Sequence, residues 1–278
     1  MNLFQAGILG AVEGLTEFLP VSSTGHLILA SRAMGLAGSA IDAYEVVIQA
    51  GALLAVAWLY RARLVELVQG LVAANARGRA LLLKLVVAFL PAAAVGFLTH
   101  HWIKEHLFGP GPVAGALLVG GIAILGIEAW RRDRSAGAPS IATIDDLPLR
   151  AAFVIGLAQC LSLWPGTSRS LATIMAALLL GATPVAAAEF SFLLALPTLG
   201  MATLYDFVKN RGAILGPDLG GPAPVLTGLV VAAIVAALAI TIFIRYLNRR
   251  GLVPFGWYRI ALGIAVFVLL GMNGGRLP

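Results

Sequence analysis

Residues Glu13 to His26 read EGLTEFLPVSSTGH. Two acids stand one helical turn apart, followed by a proline, three hydroxyl residues, a glycine and a histidine, within sequence that otherwise resembles membrane interior. Pro20 removes a backbone donor, and Ser22, Ser23 and Thr24 are residue types that begin a new helix. The apolar run of residues 2–19 is therefore interrupted, and a second apolar piece follows from Gly25 to about Met34. Neither piece spans a bilayer comfortably with its polar residues facing lipid. A re-entrant helical hairpin, buried against other helices, satisfies the backbone better.

Outward from this stretch the chain is apolar almost throughout: 60% of its 278 residues are hydrophobic and 12% charged, against about 25% charged in a soluble domain. Span candidates fall at about Ala43–Tyr60, Ala80–Thr99, Val113–Trp130, Val185–Phe207, Pro224–Ile244 and Phe255–Leu270. The runs are continuous and rich in Leu, Ala and Val, without the alternation of a barrel. The expected fold is an all-α polytopic membrane protein, with about six transmembrane helices and two re-entrant hairpins.

The second hairpin is expected over Leu149–Gly181, broken at Pro165-Gly-Thr-Ser. Gly10-Ala-Val-Glu13 resembles Gly156-Leu-Ala-Gln159, and Pro20-Val-Ser-Ser resembles Pro165-Gly-Thr-Ser with a one-residue gap. Glu45 and Glu189 follow at similar distances. The single membrane domain then divides into repeat one (about 1–130), a solvent-exposed polar linker (131–148) and repeat two (about 149–278). Arg61, Arg63, Arg77 and Arg79 mark one basic loop, Arg131, Arg132 and Arg134 a second, and Arg245, Arg249 and Arg250 a third. An even number of spans separates each from the next, which places all of them on the cytoplasmic side. The hairpins then enter from opposite faces, as in many transporters.

The net charge of +6 flanks apolar runs, so it reads as a topology signal rather than a nucleic-acid surface. Cys160, the only cysteine, excludes an intrachain disulfide and a cysteine-based metal cluster. With no basic residue before Arg32 and with Glu13 and Glu17 in its apolar stretch, the start of the chain does not read as a signal peptide.

Glu13 and Glu17, spaced i, i+4, share one helix face. Like charges on one turn inside a membrane need a proton, a cationic partner or a metal ion, and carboxylates with phosphate oxygens suit Mg²⁺ or Ca²⁺. A proton-sharing pair packed on a neighbouring helix is the structural alternative. The helix begun by Ser22, Ser23 and Thr24 presents free N–H groups to an anion, and His26 in its first turn is a candidate acid, base or nucleophile. Arg169, in Pro165-Gly-Thr-Ser-Arg-Ser, is costly in lipid and suits a phosphate in bidentate fashion; pairing with Glu13 or Glu17 is the structural alternative. Ser168, Ser170 and Thr173 add hydroxyls. Gln49 reads as packing glue, and His100, His101 and His106 as interfacial residues in a loop beyond a span.

EGLTEFLPVSSTGHLIL and PGTSRSLAT resemble the two signature motifs of the undecaprenyl-diphosphate phosphatase family, also called the bacitracin-resistance protein family. Leu171 and Cys160 depart from its pattern, where a small residue and a glycine are more usual. The resemblance implies hydrolysis of undecaprenyl diphosphate with a divalent cation, recycling the carrier lipid for cell-wall synthesis. It implies catalytic roles for Glu13, Glu17, Ser23, His26 and Arg169, and metal binding by Glu13 and Glu17. Ser22, Thr24, Ser168, Arg169, Ser170 and Thr173 would bind the lipid diphosphate. The implied setting is the bacterial plasma membrane, with the site open to the outer face; a homodimer is kept as one assembly and nucleic acid is excluded. The main rival is a transporter or flippase of a polyprenyl phosphate lipid, since opposed repeats serve transport equally well. A membrane phosphatase of the class using two histidines fits poorly, because no histidine follows Arg169. A structural scaffold leaves the intramembrane charges unexplained.

Overall fold

A computed structural model describes residues 1–72, 75–107, 109–133 and 140–272. Arg134 and the last six residues lie outside these, as do the side chains of His100, His101, Lys104 and Arg132. Among the described residues are eleven α-helices: α1 Leu3–Thr16, α2 Ser23–Ala33, α3 Ser39–Leu59, α4 Arg61–Leu71, α5 Ala76–His106, α6 Pro110–Asp133, α7 Leu149–Gln159, α8 Arg169–Leu179, α9 Pro184–Ile214, α10 Pro222–Arg250 and α11 Val253–Met272. Six of them, α3, α5, α6, α9, α10 and α11, are long and apolar enough to cross a membrane. Each covers one of the spans read from sequence, and the protein is a multi-pass membrane protein. α5 continues through the three histidines, which therefore sit on a helix rather than a loop; His106 bonds the Trp102 carbonyl and stacks on its ring at 5.0 Å.

α1, α2, α7 and α8, of 14, 11, 11 and 11 residues, are each shorter than the ~20 residues a span requires. They form two closed hairpins. Gln5 Nε2 donates to the Met34 carbonyl, so the first pair ends where it began. In the second, Ile141 just before α7 exchanges backbone hydrogen bonds with Gly181 and Thr183 just after α8. The hairpins start at opposite ends of the bundle. Met1 abuts Gly220 in the α9–α10 connection, whereas the α7 end is tied to α4 and α5: Arg63 reaches Asp145 at 3.3 Å, and Lys84 Nζ donates to the carbonyls of Ile144 and Asp145.

The same links place the basic loops. Asp145 binds Arg63, while Gly251 of the α10–α11 turn lies against Glu128, the partner of Arg131. α3 runs beside α10 in the same direction, with Tyr44 at Gly228 and Gly51 at Leu229 and Ala232, so the loop after α3 shares one end of the molecule with the other two. The described part of the linker, residues 140–148, is exposed except at three apolar positions. Ile141, Ile144 and Leu147 are buried, and Arg63 joins Glu66, Asp145 and Glu189 in one ionic cluster. Three apolar residues at short intervals anchor a segment whose polar composition suggested solvent. The exposed Asp146 carboxyl accepts from the hydroxyl and N–H of Thr143, which hold its pKa below the usual aspartate value.

The repeat is visible in packing as well as order. α1 lies against α10 and α7 against α5. A Cβ on Gly10 would strike the Gly228 backbone, and one on Gly156 would strike that of Ala88, so the two glycines aligned in the sequence do the same job in each half. Glu13 and Gln159, three residues further on, are both fully buried.

Candidate active site

The two hairpin tips meet inside the bundle. α1 ends at Thr16, a tight turn covers Glu17–Val21, and α2 starts behind Ser22; α8 starts behind Ser168 in the same way. Ser22 (φ 75°, ψ 100°) and Ser168 (φ 75°, ψ 117°) are the only non-glycine residues with positive φ among those described. A conformation of this kind costs about 1–3 kcal/mol and persists where its surroundings over-determine it. Each serine caps its helix, accepting from Gly25 N and Leu171 N respectively. The structural register therefore pairs Ser22 with Ser168. The alignment by identities, which pairs Ser23 with Ser168, slips by one residue because Pro165 stands three residues before its capping serine and Pro20 only two, whereas the spacing from Gly10 to Ser22 equals that from Gly156 to Ser168. Replacing Ser168 by alanine, which keeps the strain and loses the cap, is expected to cost about 1 kcal/mol. Glycine there should stay close to wild type, since it relieves the strain and caps almost as well. Melting temperatures of the purified variants check this.

Ser23 Oγ donates to Glu17 Oε2 at 2.6 Å, and Arg169 Nη2 donates to Glu17 Oε1 at 3.3 Å. Arg169 comes from the other hairpin, and both side chains are almost completely buried. Its Nη1 donates to the Ser191 carbonyl at 2.8 Å and its guanidinium lies 5.7 Å from the Phe18 ring centre, while Nε has no partner. Thr173 Oγ1 bonds Ser191 Oγ at 2.6 Å and the Arg169 carbonyl at 2.9 Å, fixing the helix that carries the arginine. Ser170 Oγ crosses to the Leu19 carbonyl at 2.9 Å and also meets Ser168 Oγ at 3.0 Å.

Glu13 lies one turn behind Glu17, fully buried, and neither of its carboxylate oxygens has a hydrogen-bond partner. Its electrostatic neighbours are Glu17, Glu45 and Arg169. An unpartnered carboxylate in such a place needs a cation or a proton. Glu13 has both oxygens open to such a cation, whereas the Glu17 oxygens are already engaged by Ser23 and Arg169 and could only share theirs with it. No three His, Cys, Asp or Glu side chains converge among the described residues, so phosphate oxygens or hydroxyls would complete the shell. Glu189 is engaged with Arg63 at 3.2 Å, at the basic end of the bundle.

His26 stands apart from this array. Nδ1 lies 2.7 Å from the Ser22 carbonyl, which only accepts, so Nδ1 carries the proton. In the neutral ring Nε2 then accepts from the Tyr258 hydroxyl at 2.6 Å. The two rings stack with centroids 5.7 Å apart. Tyr258→Phe removes one hydrogen bond but keeps the stack and the Ser22 anchor. Phosphate release from a lipid diphosphate is expected to stay within about tenfold of wild type, whereas Tyr258→Ala should lose more; steady-state kinetics on both variants distinguish them.

Thr24 is half-buried on the first turn of α2, and the Ser22 hydroxyl is spent as a cap. Leu171 packs into the buried core, so that departure from the signature motif is accommodated. Ser191, Tyr258 and Arg259 escape the sequence reading. Arg259 had a signal, a charge inside the last span, whereas Ser191 and Tyr258 are ordinary helix residues by composition.

The chain matches the family described as "Bacitracin resistance protein BacA" over residues 6–265. It is 54% identical over 270 residues to a protein of Sorangium cellulosum named undecaprenyl-diphosphatase, covering 97% of this chain and 87% of the relative. A Nitrosomonas europaea protein of the same name is 48% identical, covering 96% and 94% respectively. Another, from Chromobacterium violaceum and named undecaprenyl-diphosphatase 1, is 46% identical, covering 95% of each. With the match running through both hairpins and five spans and into the sixth, the chain belongs to the BacA bacitracin-resistance family.

Proposed function

We propose that this protein hydrolyses undecaprenyl diphosphate to undecaprenyl phosphate and inorganic phosphate, regenerating a carrier lipid for cell-wall synthesis. Its relatives carry the name of that reaction. The supporting observation is the buried array of Ser23, Glu17 and Arg169, drawn from the tips of two hairpins that start at opposite ends of the bundle. Hydrolysis of a diphosphate depends mainly on positioning and on neutralising charge. Arg169 and the helix starts behind Ser22 and Ser168 bind the phosphates. Ser23 Oγ attacks the terminal phosphorus as Glu17 takes its proton, and the bridging P–O bond breaks towards the lipid monophosphate. Water then cleaves the serine ester and returns a proton to Oγ. A divalent cation held by Glu13 and Glu17 would add charge neutralisation at the phosphates.

In this reading the end bearing the basic loops faces the cytoplasm of a bacterial plasma membrane. The first hairpin then dips in from the outer face and the second from the inner. The polyprenyl tail lies between spans, with its head at the junction.

Purified protein in detergent, supplied with undecaprenyl diphosphate and Mg²⁺ or Ca²⁺, is expected to release phosphate without a second compartment. No release under either cation would leave transport of the lipid as the better account of the opposed hairpins. Glu13→Gln is expected to raise the cation concentration for half-maximal rate at least about tenfold, with lipid binding little changed. An unchanged cation titration would remove Glu13 from the ligand set and leave it as a shared-proton partner of Glu17.

A further inference from the structure

Arg259, on α11, is fully buried, and among the described residues no carboxylate is paired with it. Its hydrogen bonds all end on backbone carbonyls: Nη1 on Pro20 at 3.3 Å, and Nη2 on Gly166 at 2.9 Å and Ala116 at 3.0 Å. Pro20 belongs to the tip of the first hairpin and Gly166 to the tip of the second. One guanidinium therefore clasps both tips and ties them to α6. Room for it is built in: a Cβ on Gly120 of α6 would strike the Arg259 guanidinium, and α6 and α11 approach through Gly121 and Gly256. Gly166, at φ 96°, presents its carbonyl from a left-handed conformation that other residues rarely adopt.

We propose that Arg259 is the positioning residue that holds the two hairpin tips in register, so that Ser23 and Glu17 from one half meet Arg169 from the other. This rests on the phosphatase reading only for its kinetic consequence. Tip carbonyls outside any helix and buried from water need a donor. A planar fork can satisfy two tips at once, where a lysine amine satisfies them only with a less rigid geometry. The arginine itself stays buried and does not touch substrate. Among the described residues its hydrogen-bond partners are carbonyl dipoles, so removing the side chain frees both tips together.

The test uses full-length protein in detergent, with amide hydrogen exchange read over residues 18–23 and 164–168 alongside phosphate release. In Arg259→Met, exchange at both tips is expected to rise together by about tenfold or more, with the α9–α10 connection unchanged. The same variant should lose about 100-fold in kcat with KM little altered, and Arg259→Lys should fall between it and wild type. Exchange rising at neither tip, or at one alone, overturns the clasp, as does a lysine variant indistinguishable from wild type in both readouts. Should the Arg259 variants fail to fold, Gly120→Ala displaces the guanidinium from α6 while keeping its charge. It must loosen both tips, and unaltered protection in that variant refutes the proposal. Because exchange is read without substrate, a wild type that releases no phosphate would sink the enzymatic reading and leave the clasp to be judged on exchange.

Discussion

Arg169→Ala is expected to lower kcat for phosphate release by about 10³-fold or more, the largest effect of any single substitution in the second hairpin. Two losses combine. The planar fork that neutralises phosphate charge disappears, and Glu17 is left as a buried carboxylate without its cationic partner. Breaking one side of a buried pair costs about 3–5 kcal/mol, so the variant should also melt lower. The two losses can be separated. Glu17 accepts from Arg169 at 3.3 Å, and both groups are 5–6% exposed, so the double variant Arg169→Met/Glu17→Gln removes both charges at little change of volume. It should recover most of the melting temperature and none of the turnover. Arg169→Lys keeps a charge but not the fork, and should retain a small residual rate. If Arg169→Ala turned over near the wild-type rate, the arginine would be a structural tie between hairpins and the phosphate-binding role would fall.

Much of this arrangement was legible in the sequence because membranes make polarity expensive. Each interruption of an apolar run had to be resolved internally, so Pro20-Val-Ser-Ser and Pro165-Gly-Thr-Ser announced two tips, and Arg169 called for an anionic partner, with Glu13 or Glu17 as the structural alternative to a phosphate. The aligned Gly10 and Gly156 proved to be close-approach positions in both halves. Matching the prolines set the loop register one residue off, although the ungapped spacing from Gly10 and Gly156 carries Ser22 onto Ser168. The shared positive φ of Ser22 and Ser168 is a backbone property with no composition signal. Nor could sequence spacing find partners brought from afar: Tyr258 reaches His26 across 232 positions, and Arg259 reaches Pro20 across 239. In the linker the polar positions are exposed as their composition implied, and it is the three apolar anchors that the composition hid. Its polar residues outnumber Ile141, Ile144 and Leu147, yet those three decide where its described part sits.

His26→Ala is expected to reduce turnover by about 10²–10⁴-fold, the range for a general acid or base, and its position narrows what that base could do. Nδ1 is committed to the Ser22 carbonyl, which leaves Nε2 as the only nitrogen able to exchange a proton or bond to phosphorus. Ser23 by contrast is aligned on Glu17 at 2.6 Å, with no hydrogen bond to His26. Two roles for His26 then remain, attacking phosphorus itself or moving the proton of the water that cleaves the serine ester. Acid-quenched single turnovers with terminally labelled diphosphate separate them, since phosphoserine survives acid and phosphohistidine does not. The geometry predicts acid-stable label on the wild-type chain, none on Ser23→Ala, and accumulated label on His26→Ala, where the ester forms but is cleaved slowly. Acid-labile label that survives Ser23→Ala and vanishes in His26→Ala would reverse the assignment and make the histidine the attacking group. Full turnover in His26→Ala would remove it from the chemistry altogether, leaving the Tyr258 stack as its only function.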